Sequence, residues 1–291
     1  MIALRPLSLS DIFNGAVGYV RANPKPTLGL TTVVVLVTAV LGIATGTAAV
    51  RLGGDIASIA GVVVGALVTV LATTLLSGML TAIVARAVRG ARITAAEAWT
   101  RVRARVPALI ALTLLQVAAV VGAAILVVLL ISGIGSTGGG GAATMAGVPV
   151  VLSFVAAVAY LFIRLVLAPV AIVLENKGVT AAVKRSFALS HNRFWRILGT
   201  MLLAVVVAWV VTAAISLPFE IGGQLISAGS SSATVAGVAV STIGQSIGGI
   251  LTAPFIAGVV TLLYVDARIR SEAFDFVLLS APPGDGVWLA G

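Results

Sequence analysis

Six long apolar runs dominate this chain and decide what it can fold into. They cover residues 27–50, 56–85, 106–134, 148–174, 197–219 and 235–265. A helix needs about 20 apolar residues to cross the hydrocarbon core of a bilayer, and every run is long enough. Because 60% of the residues are hydrophobic and only 9% are charged, a soluble fold could not bury so much apolar surface. The chain is therefore predicted to be a polytopic membrane protein.

The pattern inside the runs predicts an all-α fold with six transmembrane helices in a single domain, residues 1–291. Strands of a membrane barrel would alternate lipid-facing and lumen-facing residues over about 10 positions, and these runs do not. The first 26 residues are polar and amphipathic, and the run that follows is of full span length, so we expect a retained first span rather than a cleaved signal. The chain has no cysteine, which excludes disulfides and thiolate sites.

The basic residues account for the net charge of +9 and predict the orientation. Sixteen of the 18 basic residues lie on one side of the predicted spans, and only Arg51 lies in a loop on the opposite side. By the positive-inside rule, both termini are predicted to lie in the cytoplasm. This distribution also argues against nucleic acid as a partner, because the charge follows the membrane topology. The sixteen basic residues on the predicted cytoplasmic side are Arg5, Arg21, Lys25, Arg86, Arg89, Arg92, Arg101, Arg103, Arg105, Lys177, Lys184, Arg185, Arg193, Arg196, Arg268 and Arg270.

Short amphipathic segments precede the first, third and fifth spans. Ser8 with Asp11, and Thr94 with Glu97, match the capping box that begins a helix, whereas Val183 stands where the third copy would need the acid. Their apolar stripes and basic residues are typical of helices that lie in the membrane interface. We infer three tandem units, each an interfacial helix followed by a helical hairpin, and a carboxyl-terminal cytoplasmic tail. The units are residues 7–90, 93–176 and 179–270, and the tail is residues 266–291.

Parallel repeats of this kind keep one orientation in the membrane, so a pseudo-threefold bundle is expected. The competing interpretation is that any six-span protein has basic loops at similar spacing. We favour repeats because capping residues as well as charges superpose.

Arg164 is the one full charge deep inside a predicted span. If the helix were continuous to Glu175, Arg164 would lie roughly 16 Å from the cytoplasmic boundary, near the middle of the bilayer. A structural interpretation gives it polar partners: Tyr160, Ser153, Gln116, Gln245 or carbonyls freed near Pro169. The alternative is that it binds an anionic lipid headgroup or a substrate phosphate. We favour the structural interpretation.

Two prolines and a glycine-rich stretch interrupt the apolar pattern. Pro169 and Pro254 each follow an alanine ahead of a cytoplasmic end and are predicted to kink the fourth and sixth spans. Residues 133–147 lack the Lys and Ser/Thr of a phosphate-binding loop, so they are predicted to be a flexible connector.

The interfacial segments supply the candidate sites for anionic lipid. Besides Arg164, the cations are Arg101, Arg103, Arg105, Lys184, Arg185, Arg193 and Arg196, and the predicted aromatic anchors at headgroup depth are Trp99, Phe187, Phe194 and Trp195. No cofactor and no metal site is predicted, since the nine acids are scattered along the chain.

Two stretches, residues 165–199 and 252–279, together with the amino-terminal Arg5-Pro-Leu-Ser-Leu-Ser-Asp-Ile, resemble a known family. It is the bacterial membrane-domain family found attached to some glycerophosphodiester phosphodiesterases, and the resemblance is closest to its stand-alone actinobacterial members. The phosphodiesterase would need a further barrel-sized domain with a cluster of metal-binding acids and histidines, so we expect the chain to lack that activity.

The function predicted from the sequence is non-enzymatic. The single histidine, His191, has no acid nearby in the sequence and is expected to be a solvated interfacial residue rather than a general base. The leading hypothesis is an accessory, scaffold or assembly subunit that contacts anionic lipids and an unidentified membrane-protein partner. The alternative is a binder or transporter of lipid or another amphiphile that uses Arg164 and the kinked spans. A membrane hydrolase is the least supported class.

Overall fold

The protein is described by a computed structural model that covers residues 7–52, 55–88, 93–228 and 233–272. Within these ranges all regular structure is helical. The helices are α1 (Leu9–Ala22), α2 (Pro24–Leu52), α3 (Asp55–Val88), α4 (Ala95–Val102), α5 (Val106–Leu165), α6 (Ala168–Leu174), α7 (Val179–Ser190), α8 (Phe194–Ser227) and α9 (Ala233–Glu272). Short 3-10 turns at Arg103–Arg105 and His191–Arg193 lead into α5 and α8.

Six segments of these helices are long and apolar enough to cross a membrane. They are Pro24–Thr45, Val63–Val88, Ala95–Ser136, Met145–Leu174, Val179–Ser227 and Ala236–Ser271. The prediction of an all-α protein with six spans is thereby confirmed. In lipid, a helix is favoured because it satisfies its own backbone hydrogen bonds.

The third and fourth spans are two arms of α5. A Cβ added at Gly147 would lie 3.8 Å from Ile131 Cδ1, whereas a straight helix would separate the two positions by about 24 Å. The chain therefore reverses between them. The predicted flexible connector, residues 133–147, instead has a helical backbone. Its glycines lack a Cβ, and a compact reversal needs the close backbone approach that this allows.

The local signals at the short helices agree with the sequence. In α1 the Ser8 and Asp11 side chains make both bonds of a capping box, and in α4 the Thr94 and Glu97 side chains do the same. Helix α7 begins at Val179, and its N-cap residue is Gly178, two positions before Thr180, where the degraded third copy places the cap; glycine has no side chain to form one. The two residues of each capping box are three positions apart, so the box can be predicted from the sequence alone.

The core lies at one end of the bundle, which we call the basic end. Here α1, α4, α6 and α7 meet the carboxyl ends of α3 and α9, and fully buried residues such as Leu80, Ile172 and Tyr264 fill the space between them. Toward the opposite end the apolar side chains are mostly exposed, for example Leu152 and Leu225. Because this is a membrane protein, that surface faces lipid tails.

Helix α9 is the central element. In the most apolar stretch of its span, 56% of the residues are buried, whereas none are buried in the corresponding stretch of the span Ala95–Ser136. It packs against α1, α2, α3 and α8. Gly244 and Gly248 face α8, where added Cβ atoms would lie 2.6 Å from Phe219 Cβ and 2.7 Å from Thr212 Cγ2. This agrees with internal packing as the role of that small-residue pair.

Helix α1 docks on α9 where two small residues meet. A Cβ at Gly258 would lie 2.5 Å from Tyr19 Cε1 and 3.1 Å from Ala16 Cα. The Tyr19 hydroxyl donates to the Pro254 carbonyl, and burial raises the pKa of Tyr19 well above its ordinary value, so this phenol stays a donor.

Pro254 does not interrupt α9, which continues to Glu272. Residues 266–269, at the start of the predicted tail, are therefore buried helix, and 273–291 lie outside the described residues.

We expect Gly258→Ala to destabilise the protein by about 1–3 kcal/mol, because the added methyl overpacks the contact with α1. Gly249→Ala is the matched control on the same helix, since its Cβ would have an ordinary contact of 4.0 Å with Val35 Cγ2. Thermal unfolding in detergent, followed by tryptophan fluorescence, measures both variants. Equal melting temperatures for the two would contradict the proposed close packing of α1 on α9.

Candidate functional site

The charged side chains at the basic end gather around two buried carboxylates. The first is Glu175, which follows directly after α6 and has 8% exposure. The next residue, Asn176, has a left-handed backbone (φ 54°), and asparagine tolerates this conformation better than most residues. The turn brings Lys177 Nζ to 2.7 Å from Glu175 Oε2.

Three further side chains from distant parts of the chain reach Glu175 Oε1. Arg185 of α7 donates from Nε at 3.2 Å, and Arg268 of α9 forms an ion pair with its Nη1 at 3.6 Å. The hydroxyl of Tyr264 donates to the same oxygen. Tyr264 and Arg268 are one helical turn apart on α9, so one face of that helix serves this carboxylate. The cluster joins the fourth span, α7 and the sixth span.

The electrostatics of Glu175 follow from these contacts. Burial alone would raise the pKa of this carboxyl group. The hydrogen bonds from Lys177 and Tyr264 and the charges of Arg185 and Arg268 outweigh burial, and the pKa lies below its ordinary value of 4.5. Glu175 is therefore held as a carboxylate, which suits an ion-pair anchor rather than a general acid.

The second buried carboxylate, Asp266, holds the start of the described chain. Its Oδ1 accepts from the Leu7 backbone N–H at 2.8 Å and from Arg270 Nε at 2.8 Å, and its Oδ2 accepts from Arg196 Nε at 3.2 Å. The Leu7 carbonyl accepts from Arg196 Nη2 at 2.5 Å and from Arg270 Nη2 at 3.1 Å. Both backbone groups of Leu7, whose side chain is fully buried, are thus satisfied. We call this arrangement the Leu7 clamp.

Arg164 lies at the junction of α5 and α7. Its Nε donates to the Tyr160 hydroxyl at 3.0 Å, and its Nη1 lies 3.3 Å from the Phe187 carbonyl oxygen and 3.4 Å from Ser190 Oγ. Its guanidinium lies over the rings of Tyr160, Phe187 and Phe194 at 5.1, 5.7 and 5.9 Å from their centroids. These contacts place a cation at the carboxyl end of α7, where the helix dipole favours positive charge.

The fourth span is not one unbroken helix, as the expected depth of Arg164 assumed. Helix α5 ends at Leu165, and α6 begins at Ala168 with Pro169 in its first turn. The Arg164 carbonyl left over by this break accepts a hydrogen bond from Ser186 Oγ at 2.5 Å. Arg164 lies within the span Met145–Leu174 and contacts the carboxyl end of α7, and its depth in the bilayer stays a prediction. Of the partners considered from the sequence, Tyr160 is present.

The predicted lipid-binding cations divide into two groups. Arg105, Arg185 and Arg196 make internal contacts, with Asn176 Oδ1 at 2.9 Å, Glu175 and Asp266 respectively. Arg103 and Lys184 are exposed, and Arg101 and Arg193 are half-buried. Sequence spacing could not separate the groups, because the acids that bind Arg185 and Arg196 are 10 and 70 residues away.

The four predicted aromatic anchors also divide. Trp99 and Trp195 are 46% and 79% exposed on the short helix α4 and at the start of α8. Phe187 and Phe194 are half-buried and face Arg164. The ring of Phe194 contacts the rings of Tyr160 and Trp195 at centroid distances of 5.3 and 5.5 Å, so one aromatic cluster joins Arg164 to the exposed Trp195.

Sequence reasoning missed three functional positions at the basic end: Leu7, Tyr264 and Glu175. The i, i+4 spacing of Tyr264 with Arg268 and of Asp266 with Arg270 was available as a signal for two polar faces on α9. It pairs Asp266 with Arg270, as the structure does, but it does not indicate that Arg268 pairs with Glu175. In the described part of the chain, no three His, Asp or Glu side chains gather in a metal-binding group.

A family model described as the membrane domain of glycerophosphoryl diester phosphodiesterase matches residues 142–277. The matched range contains the Arg164 junction, the Glu175 cluster and Asp266. It also contains residues 165–199 and all but the last two residues of 252–279, so the resemblance inferred from those two stretches is confirmed. Neither the curated proteins nor the solved structures contain a significant match to this chain.

Proposed function

We propose that this membrane protein, whose residues 142–277 match a phosphodiesterase membrane domain, acts as a non-enzymatic accessory or scaffold subunit of the bacterial plasma membrane. Its basic end would contact anionic lipids of the inner leaflet and hold a partner protein at the membrane surface.

One observation carries the proposal: the basic end is built as a rigid platform with exposed lipid-binding groups on it. Both buried carboxylates bind cations that connect separate helices, and among the described residues neither is paired with a second carboxylate as a catalytic acid and base would be. Trp99, Trp195, Arg103 and Lys184 are exposed on the short helices around this end. Indole rings favour headgroup depth, and each basic residue near an anionic surface contributes about 1 kcal/mol.

The helix packing also supports three tandem units in a pseudo-threefold arrangement. Each short helix packs on the second span of the unit before it: α4 on α3, α7 on α5 and α6, and α1 on α9. The second spans α3, α6 and α9 contact one another at the basic end. Such a cyclic pattern is what a ring of three equivalent units would produce.

The contacts of Arg164 favour a scaffold over a transporter. Three of its hydrogen-bond contacts are to protein atoms of the same junction, which fixes the side chain between α5 and α7. A transport route through this position would require the contacts to break during each cycle.

The experiment for this function compares lipid selectivity and hydrolysis in reconstituted membranes. Spin-labelled phosphatidylglycerol should associate with the protein more strongly than spin-labelled phosphatidylcholine, and the preference should fall in an Arg103→Gln/Lys184→Gln variant and at high salt. Arg51→Gln, on the predicted opposite side, is the control that removes a cation away from the basic end, and it should keep the preference. Release of glycerol phosphate from glycerophosphodiesters by the purified protein, or equal association of the two lipids, would contradict the proposal.

We expect both the basic end and the chain termini to be cytoplasmic, and single cysteines test this directly because the chain has none. An impermeant maleimide added to intact cells should label Ser136→Cys, in the loop between the third and fourth spans. It should label Ser271→Cys, at the basic end, only after the membrane is opened. Labelling of Ser271→Cys in intact cells would reverse the orientation.

A further inference from the structure

The guanidinium of Arg164 has donors that the protein does not use. Arg164 is 9% exposed, and its hydrogen bonds are made by Nε and Nη1. Nη2 donates to no atom of the described residues, and it is also not among the fully enclosed atoms that lack a partner, so it keeps some access to the surface of the junction. The guanidinium therefore retains a donor nitrogen for an external ligand.

The charge of Arg164 is also not balanced by a carboxylate. No acid of the described residues lies within 4.0 Å of it, whereas the other buried arginine, Arg268, has Glu175. The α7 carbonyl and the aromatic faces supply partial negative charge only. An arginine cation removed from water without a counter-charge is costly, so an external anion would stabilise this site.

The surroundings decide which kind of anion fits. The surface beside the junction is aromatic: Tyr160, which contacts Arg164, and Trp195, which contacts Phe194, are 43% and 79% exposed. Arg164 belongs to the span Met145–Leu174, yet it contacts the end of the interfacial helix α7. A ligand must therefore place an oxyanion at the headgroup level and an apolar tail along the fourth span. A planar guanidinium can bind two oxygens of a phosphate.

We propose that Arg164 Nη2, flanked by Tyr160, Phe194 and Trp195, is a specific binding site for the phosphate group of one anionic phospholipid. Resting on the proposed function, this inference adds a single defined lipid site to the general attraction of the basic end for anionic lipid. The lipid supplies the missing counter-charge and covers the exposed rings, so it reinforces the contact between α5 and α7.

Native mass spectrometry of the detergent-purified protein tests the site with phosphatidylglycerol as the probe. Wild type should retain one molecule of phosphatidylglycerol, and Arg164→Gln should lower its retention at least tenfold. Trp195→Ala, which changes an exposed side chain and leaves the fold unaffected, should lower it about threefold or more, so the site remains testable if Arg164→Gln does not fold. Trp209→Ala, 69% exposed on the same helix in the other half of the bundle, is the matched control and should retain the lipid.

Two competing ligands separate the possible sources of binding. A neutral diacyl glycolipid without phosphate should not replace phosphatidylglycerol, and inorganic phosphate at millimolar concentration should not displace it. Displacement by inorganic phosphate, replacement by the neutral lipid, or unchanged retention by the Trp195→Ala and Arg164→Gln variants would overturn the assignment. Arg103→Gln should alter the general lipid preference without altering this retained molecule, so failure of the site and failure of the proposed function give different results.

Discussion

Replacing Asp266 with asparagine is expected to lower the stability of the protein by about 2–4 kcal/mol. The carboxylate is 2% exposed and accepts hydrogen bonds from the Leu7 N–H, Arg196 and Arg270. Hydrogen bonds to charged groups contribute about 1.5–3 kcal/mol each when buried, and the two arginines are about a third exposed, which weakens their share. For a chain of this size the loss corresponds to a melting temperature lower by roughly 5–15 °C.

The same variant should release α1 from α9. Without the Leu7 clamp, backbone amides in Leu9–Ala22 should exchange with deuterium faster, while those of α3 remain protected. Glu220→Gln is the control, since Glu220 is a half-buried acid at the opposite end of α8 whose substitution should change stability by less than about 0.5 kcal/mol. A double-mutant cycle that combines Asp266→Asn with Arg196→Gln should give a coupling energy of about 1 kcal/mol or more. Additive effects of the two substitutions, or unchanged exchange in α1, would show that the clamp does not hold the helix.

Acid is expected to weaken the protein through Glu175. The folded state lowers the pKa of this carboxyl group below its ordinary value of 4.5, so the unfolded chain binds the proton more readily. The stability from this group is therefore fully present above about pH 4.5 and is lost as the pH falls through the lower folded-state pKa. Glu175→Gln should lose about 2–4 kcal/mol at neutral pH, because Arg268, with 1% of its side chain exposed, loses its ion pair.

Melting temperatures between pH 3 and pH 7 measure this effect. The melting temperature of wild type should fall more steeply with decreasing pH than that of Glu175→Gln. The two melting temperatures should converge at the lowest pH. The Glu220→Gln control should follow the wild-type curve. A Glu175→Gln variant with the stability and pH dependence of wild type would mean that the Glu175 cluster contributes nothing net to folding.

The sequence by itself determined the parts of this protein that depend on local physics. Six apolar runs give six helical spans, because a backbone in lipid has to satisfy its own hydrogen bonds. The capping boxes at Ser8 and Thr94 could be read directly, since the residues that make them are three positions apart. The sequence also indicated that the third copy lacks a capping box, but the N-cap lies at Gly178 and not at Thr180.

Only the tertiary structure decided what the charges do. Nothing in the spacing of Arg185, Arg196 and Arg105 distinguishes them from Arg103 and Lys184, yet the first three bond within the protein. Their partners come from other helices, so the pairing depends on how the spans pack and not on sequence distance. The partners of Arg164 on α7 likewise could not be read from a continuous apolar run, because they are 23 and 26 residues away. A hydrophobic pattern shows that a segment lies in the membrane. The contacts of a single charge in that segment depend on which polar groups of neighbouring helices lie beside it.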